Sequence, residues 1–404
     1  MSTVETTTAW RTPVLIITAG CLISAIGFGI RSSFGLFLEP ITSAHSWTRE
    51  TYALAMALQN LFWGLGLPIA GALADRLGSR RVIMVGAVVY FAGVYGMAIA
   101  DTHGFFYLTA GIISGIGVAF SAFTLAMAAM ARVVSPERRS VVLGLGTAAG
   151  SLGQVIFSPL SLGFINNYGW QQALILLGVM ALCLLPLAWV LPSGRSTMTQ
   201  AQAEQTMTEA LREALTHRGY VLLTIGFFVC GFHVAFIAVH FPAYVRDLGL
   251  DASIGAYGLS LIGLFNIIGS LLAGYVGSRY SKKISLSVIY LLRALVIAGL
   301  LLLPKTPEVI LLFSALMGLL WLSTVPLTTG IVAQVFGVRY MATLFGIVFL
   351  SHQLGSFIGV WLGGRLHDAT GSYDGMWWAG VVLGLAAAVV HLGINERPQP
   401  RLAL

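Results

Sequence analysis

Charge is what this 404-residue chain has least of. Only 9% of its residues are Asp, Glu, Lys or Arg, where a water-soluble domain carries about a quarter. With 57% hydrophobic residues, that scarcity excludes both an ordinary soluble globule and a disordered chain. Cysteine is nearly absent: Cys21, Cys183 and Cys230 each lie in an apolar run, which excludes a disulfide framework or a thiolate metal site. Catalytic signatures are missing too. There is no nucleophile elbow, no HExxH helix, no Walker loop and no Cys, His or carboxylate cluster with metal-ligand spacing. An enzyme, an ATP-driven pump and a resident cofactor are therefore not expected.

What is abundant is glycine, 47 residues, and long apolar runs. Twelve runs are each long enough to cross a hydrocarbon core of about 30 Å: 13–38, 50–74, 82–100, 105–131, 139–166, 171–191, 219–245, 252–277, 284–303, 307–332, 340–366 and 374–395. The first is too long for a removed secretory signal and lacks the small-residue cleavage pattern. The expected fold is an all-α integral membrane protein whose glycines let helices approach closely. With both termini cytoplasmic, the inner segments would hold 16 Lys and Arg, and the outer ones only Arg49, Arg246, Lys305 and Arg365. That asymmetry sets the expected orientation. The net charge of +7 is then a topology signal, and no nucleic-acid partner is read into it.

The chain also repeats itself. GALADRLGSRR, Gly71 to Arg81, returns as GYVGSRYSKK, Gly274 to Lys283, with Gly71, Asp75, Arg76, Gly78 and Arg80 meeting Gly274, Ser278, Arg279, Ser281 and Lys283. Ser151-Leu152-Gly153 likewise meets Gln353-Leu354-Gly355, 202 residues on. Duplication predicts two pseudo-symmetric six-helix halves, 1–191 and 219–404. Between them, 192–218, carrying Glu204, Glu209 and Glu213, reads as a cytoplasmic linker with one amphipathic helix.

The Gly71–Arg81 motif resembles the signature of the major facilitator superfamily, secondary transporters with twelve transmembrane helices. Glu137 to Gln172 is similar to the fifth-helix signature of its monocarboxylate transporter and oxalate–formate antiporter-like branch, with Arg138, Arg139, Gly144, Ala149-Gly150-Ser151, Gly153, Pro159 and Gly169-Trp170 in place. Gln171 stands where that family usually has arginine, which favours a wider bacterial branch. The resemblance implies alternating access, a bacterial inner membrane and a monomer among lipids. It also implies gating roles for Gly71, Asp75, Arg76, Gly78, Arg80 and Arg279, with Asp75 receiving a helix N-terminus or an arginine.

Arg31 is the foremost candidate site residue. An arginine inside a membrane helix costs on the order of 2.5–3.5 kcal/mol on insertion scales and tends to face a cavity. Its guanidinium can grip a carboxylate bidentately, and the resemblance aligns it with the family's substrate-binding first-helix lysine. Two readings stand: an anion anchor, or a structural charge held by neighbours such as Gln59 or Asn60. Where the family has an Asp and an Arg on the eighth helix, this chain has Asn266 and Ser270. No membrane carboxylate is left for a proton, so His233, His240 and His352 are the coupling candidates. Phe34, Gln59, Asn60, Gln154, His233, Asn266, Trp321, His352 and Gln353, with Tyr257, are candidates for lining the path. Arg293, deep in the ninth helix, is either a structural hydrogen-bonding group or a second anion contact. The expected cargo is a small organic monoanion moved with protons or against a counter-anion. The alternatives are an efflux carrier for amphipathic or aromatic compounds and a non-transporting sensor.

Overall fold

The computed structural model describes residues 12–134, 139–192, 206–337 and 340–399. Among them the chain is helical, without strands. Contacts divide it into two compact units, Met1–Trp47 with Leu54–Met198, and Thr48–Ala53 with Thr199–Leu404. Residues 193–205 of the expected linker lie outside the described residues.

In the first unit, α1 (Pro13–Ser32) starts on Thr12, whose hydroxyl accepts from the Leu15 N–H, with Pro13 at its first position. It stops just beyond Arg31. The Ser32 and Ser33 hydroxyls donate to the Gly29 and Ile30 carbonyls, both at 2.8 Å, a local bonding pattern that competes with the helix ladder. A 3-10 turn, Phe34–Phe37, leads into α2 (Leu38–His45). The chain continues through α3 (Arg49–Leu77), α4 (Ser79–Ala98), α5 (His103–Phe106), a π-helical stretch Tyr107–Ile113, α6 (Ser114–Phe120), α7 (Phe123–Ala131), α8 (Arg139–Leu182) and α9 (Leu184–Val190).

The second unit opens with α10 (Met207–Thr216), the amphipathic helix expected in the linker. Thr206 and Glu209 form a reciprocal capping box there, and the Thr206 backbone N–H holds the Glu209 carboxyl below its ordinary range. Then follow α11 (Arg218–Asp247), α12 (Ala252–Arg279), α13 (Lys282–Leu302), α14 (Pro307–Leu320), α15 (Thr324–Phe336), α16 (Met341–Thr370) and α17 (Asp374–Leu392).

Eleven helical runs among the described residues are long and apolar enough to cross a membrane. The expected fifth and sixth segments form one run, Val142–Val190, of 49 residues. Straight, it would measure roughly 70 Å, more than twice the hydrocarbon core. Gly169, at φ +78°, breaks it into two crossings. The molecule is thus a twelve-helix membrane protein. Leu271, Val382, Ile225 and Val85 are exposed on its surface, as lipid-facing side chains should be. Each unit has its own apolar core, around Ile23, Ile83 and Leu184 in the first and Leu223, Leu286 and Ile331 in the second.

The repeat seen in the sequence is visible in the packing. α1 packs along α8, and α11 along α16. Where these helices pass closely, a Cβ on Gly153 would fall 2.0 Å from the Ala25 carbonyl oxygen, and one on Gly355 would fall 2.0 Å from that of Phe228. At both positions the absence of a side chain is what lets these backbones touch. Each unit also has a helix broken at an equivalent place, α6/α7 at Ser121–Ala122 and α14/α15 at Trp321–Ser323. Ser121 and Ser323, 202 residues apart, donate to the carbonyls four residues back, Gly117 and Leu319, both at 2.6 Å.

Replacing Gly153 by Val should force α1 from α8 and cost about 1–3 kcal/mol, the usual penalty for overpacking. Thermal unfolding in detergent should move down by several degrees. Gly163→Ala, whose Cβ would meet nothing within 4 Å, should leave the transition in place.

Candidate substrate site and its supporting network

Arg31 sits on the last turn of α1 and its guanidinium is held from α3. Nη2 donates to Asn60 Oδ1, and the group lies over the Trp63 ring, 4.4 Å from its centroid. Asn60 and Trp63 are three residues apart and share a helix face. The Asn60 amide N–H donates to the Met56 carbonyl at 2.8 Å, which turns its oxygen toward the arginine. No carboxylate pairs with Arg31 among the described residues, and its buried Nε has no hydrogen-bond partner. The side chain borders a recess of about 280 Å³, open outer space included, with Gly27, Phe28, Trp63, Ser121, Ala122 and Phe123 among its lining. Phe28 and Phe123 meet edge to face, centroids 6.5 Å apart. The recess lies at the α6/α7 break.

Other expected site residues have different work. Phe34 is buried outside that lining: α1 ends at Ser32, so the helical face assumed to carry Phe34 beside Arg31 does not continue to it. Gln59 Nε2 donates to the Ala110 carbonyl at 3.0 Å, serving the π-helical stretch. Gln154 is buried on α8, away from the recess lining, and its carbonyl accepts from the Ser158 hydroxyl. Tyr257 is 52% exposed on α12.

In the second unit the polar residues close around the α14/α15 break. Arg293 is fully buried on α13. Its Nε and Nη2 donate to the Leu320 carbonyl at 3.1 and 2.6 Å, and Nη2 also to that of Trp321. From the other side Asn266 Oδ1 accepts from the Leu322 N–H at 3.0 Å and from the Ser270 hydroxyl at 3.2 Å. The break thus has its carbonyls and an amide satisfied by side chains from α13 and α12. Of the two roles open to Arg293, the contacts are those of the structural one. Trp321 is buried at the break itself, and Cys230 Sγ lies 3.2 Å from the Thr324 hydroxyl.

The histidines do not gather. His233 Nε2–H donates to the Gly380 carbonyl at 2.8 Å. His240 Nε2–H donates to Val360 at 2.8 Å, so its Nδ1 accepts from the Tyr373 hydroxyl at 3.0 Å. His352 stacks on Phe349, centroids 5.5 Å apart. Gln353, beside it, is fully buried with neither amide atom hydrogen-bonded.

A family model described as Major Facilitator Superfamily matches residues 17–360 and 260–403. The chain belongs to that superfamily. It is similar to monocarboxylate transporter 13 of Rattus norvegicus, 25% identical over 89% of this chain and 83% of the relative. The MFS-type transporter YcxA of Bacillus subtilis (strain 168) is 26% identical over 92% and 91%, and human monocarboxylate transporter 11 is 25% identical over 94% and 82%. Among solved structures, a D-xylose–proton symporter superposes with TM-score 0.75 at 18% identity, covering 95% of this chain and 99% of the other. A bacterial homologue of the lysosomal transporter Spinster, inward-facing and unoccupied, also gives 0.75, at 16% identity over 96% and 99%. These structures share the fold. The protein is a multi-pass membrane transporter of a small molecule, not an enzyme.

The facilitator motif is built differently in its two copies. Gly78, at φ +88°, opens α4 in a conformation that glycine tolerates. A Cβ added at Gly71 would meet nothing within 4 Å. Arg76 is exposed, Arg80 lies 3.4 Å from the Trp189 ring centroid, and Arg279 lies 4.8 Å from that of Tyr275. The Asp75 side chain lies outside the described residues. In the second copy Ser281 caps α13 instead, and its hydroxyl donates to Glu396 Oε2 at 2.6 Å. Glu396 Oε1 accepts from the Lys283 N–H at 2.9 Å. A segment after α17 therefore clasps this loop of the superfamily fold, which sequence reading missed because Glu396 is far from the motif.

Sequence reading also missed a charged cluster in the second unit. Arg49 Nη1 and Nη2 donate to Asp247 Oδ2 and Oδ1 at 2.5 and 2.6 Å, and Nη1 donates to the Tyr373 hydroxyl at 3.1 Å. Asp368 caps α3, accepting from the Arg49 and Glu50 N–H groups at 3.1 and 2.6 Å. His367 Nε2 is 3.3 Å from Asp247 Oδ2, and Nδ1 is 4.0 Å from Asp368 Oδ1. Burial pushes the Tyr373 phenol above its ordinary range, keeping it a neutral hydroxyl.

Arg293→Met should strip the Leu320 and Trp321 carbonyls of their donors, each unsatisfied buried group costing about 1–3 kcal/mol. Thermal unfolding in detergent should fall sharply, with partial recovery in Arg293→Lys. Ligand binding measured below the transition should be unchanged.

Proposed function

We propose that this transporter carries a small organic monoanion, a monocarboxylate, by alternating access, with Arg31 as the anchor. The observation that carries the reading is a partly buried guanidinium whose buried Nε is unpartnered, at the edge of an aromatic recess. A guanidinium keeps its charge at any working pH, and a carboxylate is the ligand that matches it in charge and geometry. Asn60 and Trp63 fix its plane, which lowers the ordering cost on binding. Phe28, Trp63 and Phe123 offer apolar walls to the rest of the anion. Relatives named monocarboxylate transporters support the same reading.

In this reading 1–191 and 219–404 are the two repeats, joined by 192–218, with both termini cytoplasmic in a bacterial inner membrane. Transport is driven by a proton or a counter-anion gradient.

The test is thermal stabilisation of the purified protein by lactate, pyruvate, benzoate, succinate, citrate and an uncharged aromatic amide. At a hundredfold excess over the dissociation constant a ligand adds about 2.7 kcal/mol. Monocarboxylates should raise the unfolding temperature of the wild type, and the rise should vanish in a folded Arg31→Gln variant. Equal stabilisation of both forms by the uncharged amide, with none by any carboxylate, would replace this reading with an efflux carrier for aromatic compounds.

A further inference from the structure

Three histidines stood as sequence candidates for coupling, and none has a carboxylate beside it. His233 and His240 each have Nε2–H on a backbone carbonyl, and His240 Nδ1 is already taken by the Tyr373 hydroxyl. His352 lies between the rings of Phe227 and Phe349. His367 differs. Its two nitrogens point at two carboxylates, and its buried Nδ1 has no hydrogen-bond partner. A neutral imidazole donates from one nitrogen only, whereas an imidazolium donates from both. With Nε2–H turned to Asp247, Nδ1 is the lone pair left to take a proton, and Asp368 is the acceptor that the new N–H would meet.

The charges around it fit that uptake. The groups facing His367 are Arg49 from α3, Asp247 and His240 from α11, Asp368 from its own helix, and Tyr373. Glu50 is engaged by the Trp361 N–H at 3.0 Å. Two carboxylates thus meet one guanidinium, and a proton on His367 makes the set neutral. Asp368 also caps α3 at Arg49 and Glu50.

We propose that His367, held between Asp247 and Asp368, is the proton-binding site of this carrier, and that its proton travels with the anion. The step is proton transfer from water to Nδ1 at one side and release to water at the other, with no bond made to the substrate. This rests on the transport reading above.

The experiment uses the full-length protein in liposomes and whichever of lactate, pyruvate or benzoate stabilises the wild type most. Counterflow against the same unlabelled carboxylate needs no net proton movement. Uphill uptake does, and one pH unit supports about tenfold accumulation at one proton per anion. In His367→Gln, counterflow should persist while gradient-driven accumulation disappears. His367→Arg, which fixes the positive charge, should do the same. Gradient-driven accumulation that survives in His367→Gln overturns the proposal, as does a wild type that ignores the pH gradient. Loss of counterflow in both variants overturns it as well, since the residue is then structural. Absence of counterflow in the wild type instead refutes the transport reading itself.

Discussion

In the hydrocarbon region no water is present to bond a stray N–H or carbonyl, so every irregular turn of a membrane helix needs a partner from protein. This constraint assigns most of the few polar side chains that an apolar chain possesses. Gln59 serves the π-helical stretch, Asn266 serves the Leu322 amide, and Arg293 serves the Leu320 and Trp321 carbonyls. Breaks in the helices are thus held as firmly as the helices themselves. A polar group still unpartnered after these assignments is correspondingly informative, and Arg31 Nε at the recess is such a group.

The fold was legible because its strongest signals are one-dimensional. Apolar runs of membrane length, basic loops and a repeated motif need no knowledge of which helix meets which. Arg31 was legible for the same reason, since a charge inside an apolar run is costly wherever it points. What could not be read was the local interruption of helices. Nothing in YLTAGII announces a π-helical stretch, and nothing marks the end of α1 at Ser32, which takes Phe34 off the helix that carries Arg31. Trp63 was within reach, because it lies three residues after Asn60 on the same helix. Arg49 was not, since its partners Asp247 and Asp368 lie 198 and 319 residues away.

Duplication explains the architecture and also where the two units part. Both break a helix at the same place in the repeat, with Ser121 and Ser323 bonding back in the same way. Around the second break Asn266 and Arg293 fill the space and take the freed backbone groups. Around the first there is a recess, and the nearby cation is held by Asn60 and Trp63 instead of by backbone carbonyls. One repeat has turned its break into structure and the other leaves a recess there.

On the proposed reading, that recess bears on the charge of the cargo. An anion entering the recess would find one guanidinium in its lining, that of Arg31. A second carboxylate on the same ligand would lose its hydration among Phe28, Trp63 and Phe123 with no cation to receive it. Burying an unpaired charge costs several kcal/mol even after relaxation, more than the apolar contacts of so small a recess return. Selection for a single negative charge would then need no repulsive group, only the withholding of a second positive one.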